Sequence, residues 1–230
     1  MLVRNWMSKN VITVEEEDSM QHASSIMREH KIRMLPVMRK GELVGIISDT
    51  DLKRASASDA TMLDIHELLY LISRIKVHEV MSNNPITVPE DYTVEETAEV
   101  LMEHNISGVP VTDSDGKVVG VITRHDIFKI LMSLSGLGKK GIQFAFQIDD
   151  TPGSIKLLAD VIRKYEGRIA SILSSYEYAP EGKRIVYLRI YDIDRSILPE
   201  LVKELRRKGT LIYQVDHRDN KRLIFQDVKA

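Results

Sequence analysis

Two short stretches, GIISDTD at residues 45–51 and GVITRHD at 120–126, carry the same chemistry at the same spacing. Each ends an apolar run with a hydroxyl, Ser48 or Thr123, and places a carboxylate, Asp51 or Asp126, three residues further on. A hydroxyl both donates and accepts, whereas an ionised carboxylate only accepts. At a helix start such a pair has two uses. It can cap the helix, because [Ser/Thr]-x-x-[Asp/Glu] is a capping-box pattern. It can also face a ligand, because backbone N–H groups and a partial positive charge at a helix start suit an anion. Gly45 and Gly120, lacking a Cβ, would let a ligand or another backbone come close. Between hydroxyl and carboxylate the two stretches differ. Arg124-His125 puts a cation where the helix dipole opposes it, a poor choice for capping and a good one beside an anion. Asp49-Thr50 would repel an anion, with Arg33, Lys53 and Arg54 close enough in sequence to compensate. The second stretch is therefore expected to be the better phosphate site.

The elements that must position these residues come from an internal repeat. Shifted by 74, the chain matches itself: Val3 falls on Val77, Met7-Ser8 on Met81-Ser82, Ile12-Thr13-Val14 on Ile86-Thr87-Val88, and Pro36-Val37 on Pro110-Val111. From Gly41 onto Gly116 the shift is 75, so one residue is inserted in a turn, where insertions cost least. In each copy a short apolar run (VITV, PITV) reads as a strand. A helix follows, with Met20, Ala23, Ser24 and Met27, or Val94, Thr97, Ala98 and Leu101, on one face. Thr93 and Glu96 form a capping-box pattern. Then come a hairpin, with Asp115-Gly116 as a turn signal, and a second helix beginning near Asp51 or Asp126. The unit is β-α-β-β-α. Between the copies, Leu68, Leu71, Ile72 and Ile75 predict a connecting helix within residues 56–76.

After SGLGKKG at 135–141, which reads as a linker, the pattern changes. IQFAFQI is a strand, followed by the DDTPGS turn with Pro152 near the first helical position. Ile155, Leu158, Ala159 and Ile162 share a helical face, and Gly167 sits where a C′ cap belongs. Strands RIASILSSYEYA and RIVYLRIYDI, a helix ILPELVKELRRKG ending at Gly209, and strand TLIYQVDH complete the order β-α-β-β-α-β, a ferredoxin-like arrangement. The tail HRDNKRLIFQDVKA is a solvated end or an extra edge strand.

With 230 residues, 43% apolar and 29% charged, the chain can bury more than one core. It has no cysteine, which excludes disulfides, thiolate metal sites and a cysteine nucleophile and fits a reducing cytosol, the expected location. A net charge of −2 gives no global pull toward nucleic acid or an anionic membrane. No apolar run is long enough to span a membrane, and the first residues do not read as a signal peptide. The seven histidines form no metal-site spacing, and no P-loop, G-x-G-x-x-G or G-x-S-x-G is present, so neither catalysis nor a metal is expected. The run Glu15-Glu16-Glu17-Asp18 precedes a helix start and reads as terminus charge, and His30 and His104 as helix-end imidazoles.

The Met-Ser-x-x-x-Ile-Thr-Val opening, the Ile-x-x-x-Pro-Val strand and the Gly-h-x-[Ser/Thr]-x-x-Asp junction, each present twice and in order, resemble a tandem pair of cystathionine-β-synthase (CBS) domains, a Bateman module. The resemblance covers residues 1–135, with repeats at 1–55 and 77–135. It implies a regulatory, non-catalytic module that binds an adenosyl ligand (AMP, ADP, ATP or S-adenosylmethionine) between the copies. Asp51 and Asp126 would accept from ribose hydroxyls, with Ser48, Thr123, Arg33, Arg124 and His125 toward phosphate. Adenine would lie against apolar residues of the VITV and PITV strands and of the strand ends at Met34-Leu35-Pro36 and Gly108-Val109-Pro110, where Thr13 and Thr87 match the family's contact positions. Asp150-Thr151-Pro152-Gly153 after the first strand of the second part, then Glu166-Gly167-Arg168-Ile169, resemble the ACT domain over residues 142–217, which implies a small-metabolite or amino-acid effector near that loop, or a dimer interface. Equally, Pro152-Gly153 makes a turn and Asp150 caps a helix. A CBS pair followed by an ACT domain resembles the acetoin-utilisation regulatory family of bacilli. Both domain types imply a homodimer whose ligands alter a regulated enzyme or other protein; the competing expectation is an interaction protein whose junctions are caps alone.

Overall fold

The acidic, capped helix of each repeat forms where its pattern places it. The structure, a computed structural model, describes residues 1–59 and 74–225. In the second copy Thr93 accepts from the Glu96 amide while the Glu96 carboxylate accepts from the Thr93 amide at 2.8 Å, closing the capping box ahead of helix α4 (Val94–Glu103). The Thr93 amide and hydroxyl hold the Glu96 carboxyl below its usual range. In the first copy Ser19 accepts from the His22 amide and caps α1 (Met20–Glu29). Both helices end in the same way. Lys31 and Asn105 take positive φ, and the amides of Ile32 and Ile106 reach back to the carbonyls of Met27 and Leu101, a Schellman closure with His30 and His104 as C-caps.

The strands complete each copy. β1 (Val14–Glu15) lies parallel to β2 (Met34–Arg39), which pairs antiparallel with β3 (Glu42–Ser48); β5 (Val88–Pro89), β6 (Gly108–Thr112) and β7 (Val118–Thr123) repeat this. Lys40 and Gly41, both at positive φ, join β2 to β3 as a two-residue turn. The corresponding loop in copy two is longer, and Asp113 Oδ1 accepts there from the amides of Asp115 and Lys117. α2 (Asp49–Asp59) and α5 (Arg124–Leu134) follow β3 and β7. A short helix α3 (Val77–Val80), not expected from the sequence, opens the second copy. Of the expected connecting helix, Leu68, Leu71 and Ile72 lie outside the described residues.

Each copy completes the other. The opening of copy two supplies β4 (Ser82–Asn83), which pairs with β3, while Ser8 exchanges backbone bonds of 2.9 and 3.0 Å with Val121 of β7. Val3 belongs to the core around Val88, Val109, Val111 and Ile122, and Val77 to the core around Met20, Leu35, Val37 and Ile47. The copies read in sequence as 1–55 and 77–135 therefore exchange their first turns.

Residues Met1–Phe128 and Lys129–Ala230 are two compact units. The break falls inside α5, whereas SGLGKKG was expected to be the linker. The physical reason is the Ser135 carbonyl, which accepts from Arg189 Nε at 2.6 Å and from Ser171 Oγ at 2.9 Å, so this segment is tied to the sheet that follows. That sheet is ordered β12-β11-β8-β10-β9, from β8 (Ile142–Asp149), β9 (Arg168–Ser175), β10 (Lys183–Tyr191), β11 (Thr210–Asp216) and β12 (Lys221–Ile224). With α6 (Ser154–Lys164) and α7 (Leu198–Leu205) this is the ferredoxin-like order plus an edge strand from the tail. Phe144, Phe146, Leu158, Ile162, Leu188 and Leu201 form its core.

Three local expectations for this unit are corrected. Pro152 lies outside α6, whose N-cap is Gly153 at φ +89°. Gly167 is one position beyond C′: Glu166 takes the left-handed conformation, and the Gly167 amide closes onto the Ile162 carbonyl at 3.0 Å. The helix expected to end at Gly209 stops at Leu205, and Gly209 is a close approach, since a Cβ there would stand 2.6 Å from Ile148 Cγ2. Among the described residues no helix is long and apolar enough to cross a membrane.

Candidate functional site

Both junctions are built as capping boxes. Ser48 Oγ donates to Asp51 Oδ2 at 2.6 Å, the Ser48 amide donates to the same oxygen at 2.9 Å, and the Asp51 amide returns a bond to Ser48 Oγ at 3.3 Å. In copy two the corresponding distances for Thr123 and Asp126 are 2.7, 3.0 and 3.3 Å. Sequence reasoning left capping and ligand binding open. The geometry shows that the caps close without a ligand, so a ribose would have to compete for carboxylates already engaged. The first amide of each helix is engaged as well: Asp49 donates to the Arg33 carbonyl at 3.0 Å and Arg124 to the Ser107 carbonyl at 2.9 Å.

The strand register brings the two junctions together. Met34 pairs with Ser48 and Gly108 with Thr123. Met34 Cε lies 3.2 Å from where a Cβ on Gly108 would stand, so the two copies meet at equivalent strand starts, and the small residue of one accepts the large residue of the other. Met34 is buried, and Pro36 and Pro110 lie buried one turn of the pleat further along. Leu35 and Val109 do not face a shared surface. Both are wholly buried in the separate cores of their own copies. This follows from strand alternation: if Met34 and Pro36 face one way, Leu35 faces the other. Thr13 and Thr87 are exposed and immediately precede β1 and β5.

The cations are placed differently from the sequence expectation. Arg124 turns back to the end of α4, where Nη2 donates to the Leu101 carbonyl and to Asn105 Oδ1, each at 3.1 Å. A guanidinium at a helix C-terminus is favoured by the dipole, so the residue has a structural role that the sequence reading missed. Its Nε and Nη1 make no hydrogen bond among the described residues. His125 is exposed. In copy one Asp49 pairs with Lys53 at 3.1 Å, so the charge that would repel phosphate is partly compensated from within α2.

Gly45 and Gly120 permit the close approach expected of them, but their partner is the other repeat. A Cβ on Gly45 would collide with Met81 Sδ, and one on Gly120 with Met7 Sδ. The signal was present in the sequence as the repeated Met-Ser opening; its reciprocal target was not.

In the second unit Asp150 does not cap α6. Its carboxylate accepts from Arg184, with Nε at 2.8 Å, while the Arg184 guanidinium also lies 5.3 Å from the centre of the Tyr176 ring. Thr151 accepts from the Ser154 amide through its carbonyl at 3.2 Å, and Pro152 and Gly153 form the exposed turn between them. The acidic run before α1 is dispersed: Glu16 pairs with Arg39, Glu17 lies 3.6 Å from His78, and Asp18 Oδ2 accepts from the Glu15 amide.

The CBS domain model matches residues 3–58 and 77–133. A CBS domain-containing protein of Dictyostelium discoideum is 31% identical over 135 residues, covering 58% of this chain and 93% of that protein. L-aspartate semialdehyde sulfurtransferase of Methanocaldococcus jannaschii is 35% identical over 130 residues, 56% of this chain but only 23% of the enzyme. Among solved structures, a CBS domain pair in complex with 5′-methylthioadenosine and S-adenosyl-L-methionine is 34% identical over 57% of this chain and 95% of that one, with a TM-score of 0.49. A Vibrio cholerae structure assigned to acetoin utilization is 24% identical over 61% and 96%, with a TM-score of 0.50, a likeness of fold. The repeated Met-Ser openings, the paired strand starts and the twin Ser/Thr–Asp junctions are those of a tandem pair, and the chain belongs to the CBS-domain family.

Proposed function

We propose that the CBS pair is a non-catalytic sensor of an adenosyl ligand, with AMP, ADP, ATP and S-adenosylmethionine as the class. The observation that carries this is the meeting of the copies at Met34 and Gly108, each paired in register with the hydroxyl of a Ser/Thr–Asp junction. Two helix starts, two carboxylates and two hydroxyls are thereby gathered around one pseudo-symmetric contact, which suits a ligand combining sugar hydroxyls with phosphate. A ribose hydroxyl can replace the Ser48 or Thr123 hydroxyl as donor to the carboxylate, an exchange of like bonds. Copy two remains the better phosphate site in this reading, because its helix begins with Arg124, whose Nε and Nη1 have no hydrogen-bond partner among the described residues, where copy one begins with Asp49. The ligand class comes from the family, and the enzymatic activity of the much longer relatives is not part of the proposal.

The second unit is read as an ACT-type domain on its β-α-β-β-α-β order and its Asp150–Gly153 loop, serving as an effector site or as the interface of a homodimer. Ligand effects in the two units would then be coupled by about 1–3 kcal/mol, and equally in both directions. A thermal-shift series with AMP, ATP, S-adenosylmethionine and amino acids tests the sensor reading. A ligand at one hundred times its Kd stabilises the folded chain by about 2.7 kcal/mol. A series in which no adenosyl compound raises the melting temperature favours the interaction-protein reading instead.

A further inference from the structure

A cleft of about 590 Å³ opens in the second unit at the sheet end opposite Asp150. Its rim comes from the turn before β8, the residues after β10 and the turn after β11. Its floor depends on Gly141, where a Cβ would collide with the Ile190 carbonyl. Four cations line it, Lys139, Lys140, Arg195 and Arg218, against two carboxylates, Asp192 and Asp194.

The partners of these groups decide what the cleft can bind. Arg195 is committed, with Nε and Nη2 on the Asp216 carboxylate at 3.3 and 3.4 Å and Nη1 on the Ile193 carbonyl at 3.2 Å. Asp194 accepts from the Ser196 amide at 2.9 Å, and Asp192 lies 3.4 Å from Arg168. The Lys140 and Arg218 side chains have no hydrogen bond or ion pair among the described residues, and Lys139 Nζ lies 5.2 Å from the centre of the Tyr191 ring. All three side chains are exposed. With Arg195 balanced by Asp216 and Asp192 by Arg168, Lys139, Lys140 and Arg218 face Asp194, which leaves a net charge of +2.

We propose that this cleft binds a small phosphate monoester, held by Lys139, Lys140 and Arg218 with its organic body against Tyr191. A phosphate monoester carries about −1.5 to −2 at neutral pH, which matches the lining, whereas a monocarboxylate would leave half of that charge uncompensated. The volume is in the range of about 300–1,000 Å³ typical of small-molecule sites and far exceeds one phosphate group, so the ligand has a body beyond its anion. An aromatic wall beside a lysine suits a planar or ring-bearing body.

Titration calorimetry of the full chain with phenyl phosphate, and separately with inorganic phosphate, tests this. Phenyl phosphate should bind more tightly than phosphate, and each of Lys140→Glu and Arg218→Glu should weaken it by about tenfold or more. Arg218→Lys should retain most of the affinity, and Thr123→Ala, at the CBS junction, all of it. Raising salt should weaken binding, since the contacts are exposed. If Lys140→Glu melts early, Lys139→Glu takes its place beside Arg218→Glu. Unchanged affinity in the charge-reversed variants, a loss in Thr123→Ala instead, or no heat with either probe up to about 10 mM would overturn the proposal.

Discussion

The two copies of the repeat share a backbone plan and differ in what their junctions do with charge. Copy one places Asp49 first in its helix and balances it locally with Lys53, an exposed pair four residues apart. Copy two places Arg124 there and sends its guanidinium across to the C-terminal turn of the preceding helix. A side chain that opposes the dipole of its own helix serves the dipole of another. An unfavourable local choice therefore need not imply a ligand. It implies a partner of opposite sign, and the fold can supply one.

The strongest way to break the equivalence of the copies is at the reciprocal Gly–Met contacts. Gly45→Ala and Gly120→Ala should each destabilise the chain by about 1–3 kcal/mol in urea unfolding, because the new methyl displaces Met81 or Met7 from a packed site. Pairing Gly45→Ala with Met81→Ala, and Gly120→Ala with Met7→Ala, should recover part of the loss, whereas the crossed pairs should simply add. Additive behaviour in the matched pairs would show that the openings do not exchange between copies.

A smaller effect separates the junctions themselves. Arg124→Ala should cost about 0.5–1.5 kcal/mol, the usual net value of a hydrogen bond, since it releases the Leu101 carbonyl and Asn105. Asp49→Ala should be close to neutral, as expected for a solvent-exposed ion pair. Equal losses from both would remove the distinction.

These contrasts also mark what the sequence could tell. The repeat was legible because Ile-Thr-Val, Pro-Val and Gly-x-x-[Ser/Thr]-x-x-Asp recur at a nearly constant offset, and the caps at Thr93, Ser48 and Thr123 because capping is local in sequence. The ferredoxin-like order was legible from the alternation of strand and helix patterns. The crossing of Met7 and Met81 was not, since Ser82–Asn83 is a two-residue strand whose partner is set by three-dimensional pairing. The destination of Arg124 was hidden because the acceptor is a backbone carbonyl exposed by a helix end. Asp150 looked like a cap because it precedes a helix, yet Arg184, brought alongside by the β8–β10 pairing, takes its carboxylate. Gly167 was misplaced by one position because Glu166 tolerates the left-handed conformation that glycine was expected to supply. Short-range chemistry was readable; pairings made across the sheet or between copies were not.

The proposed nucleotide site lies at the paired junctions, with copy two dominant. Calorimetry with AMP on the parent, Asp51→Ala and Asp126→Ala chains tests it most directly. AMP should bind the parent, and Asp126→Ala should weaken it by about tenfold or more, equivalent to about 1.4 kcal/mol, with a smaller loss in Asp51→Ala. Equal losses in the two variants, or no AMP bound by the parent chain, would contradict it.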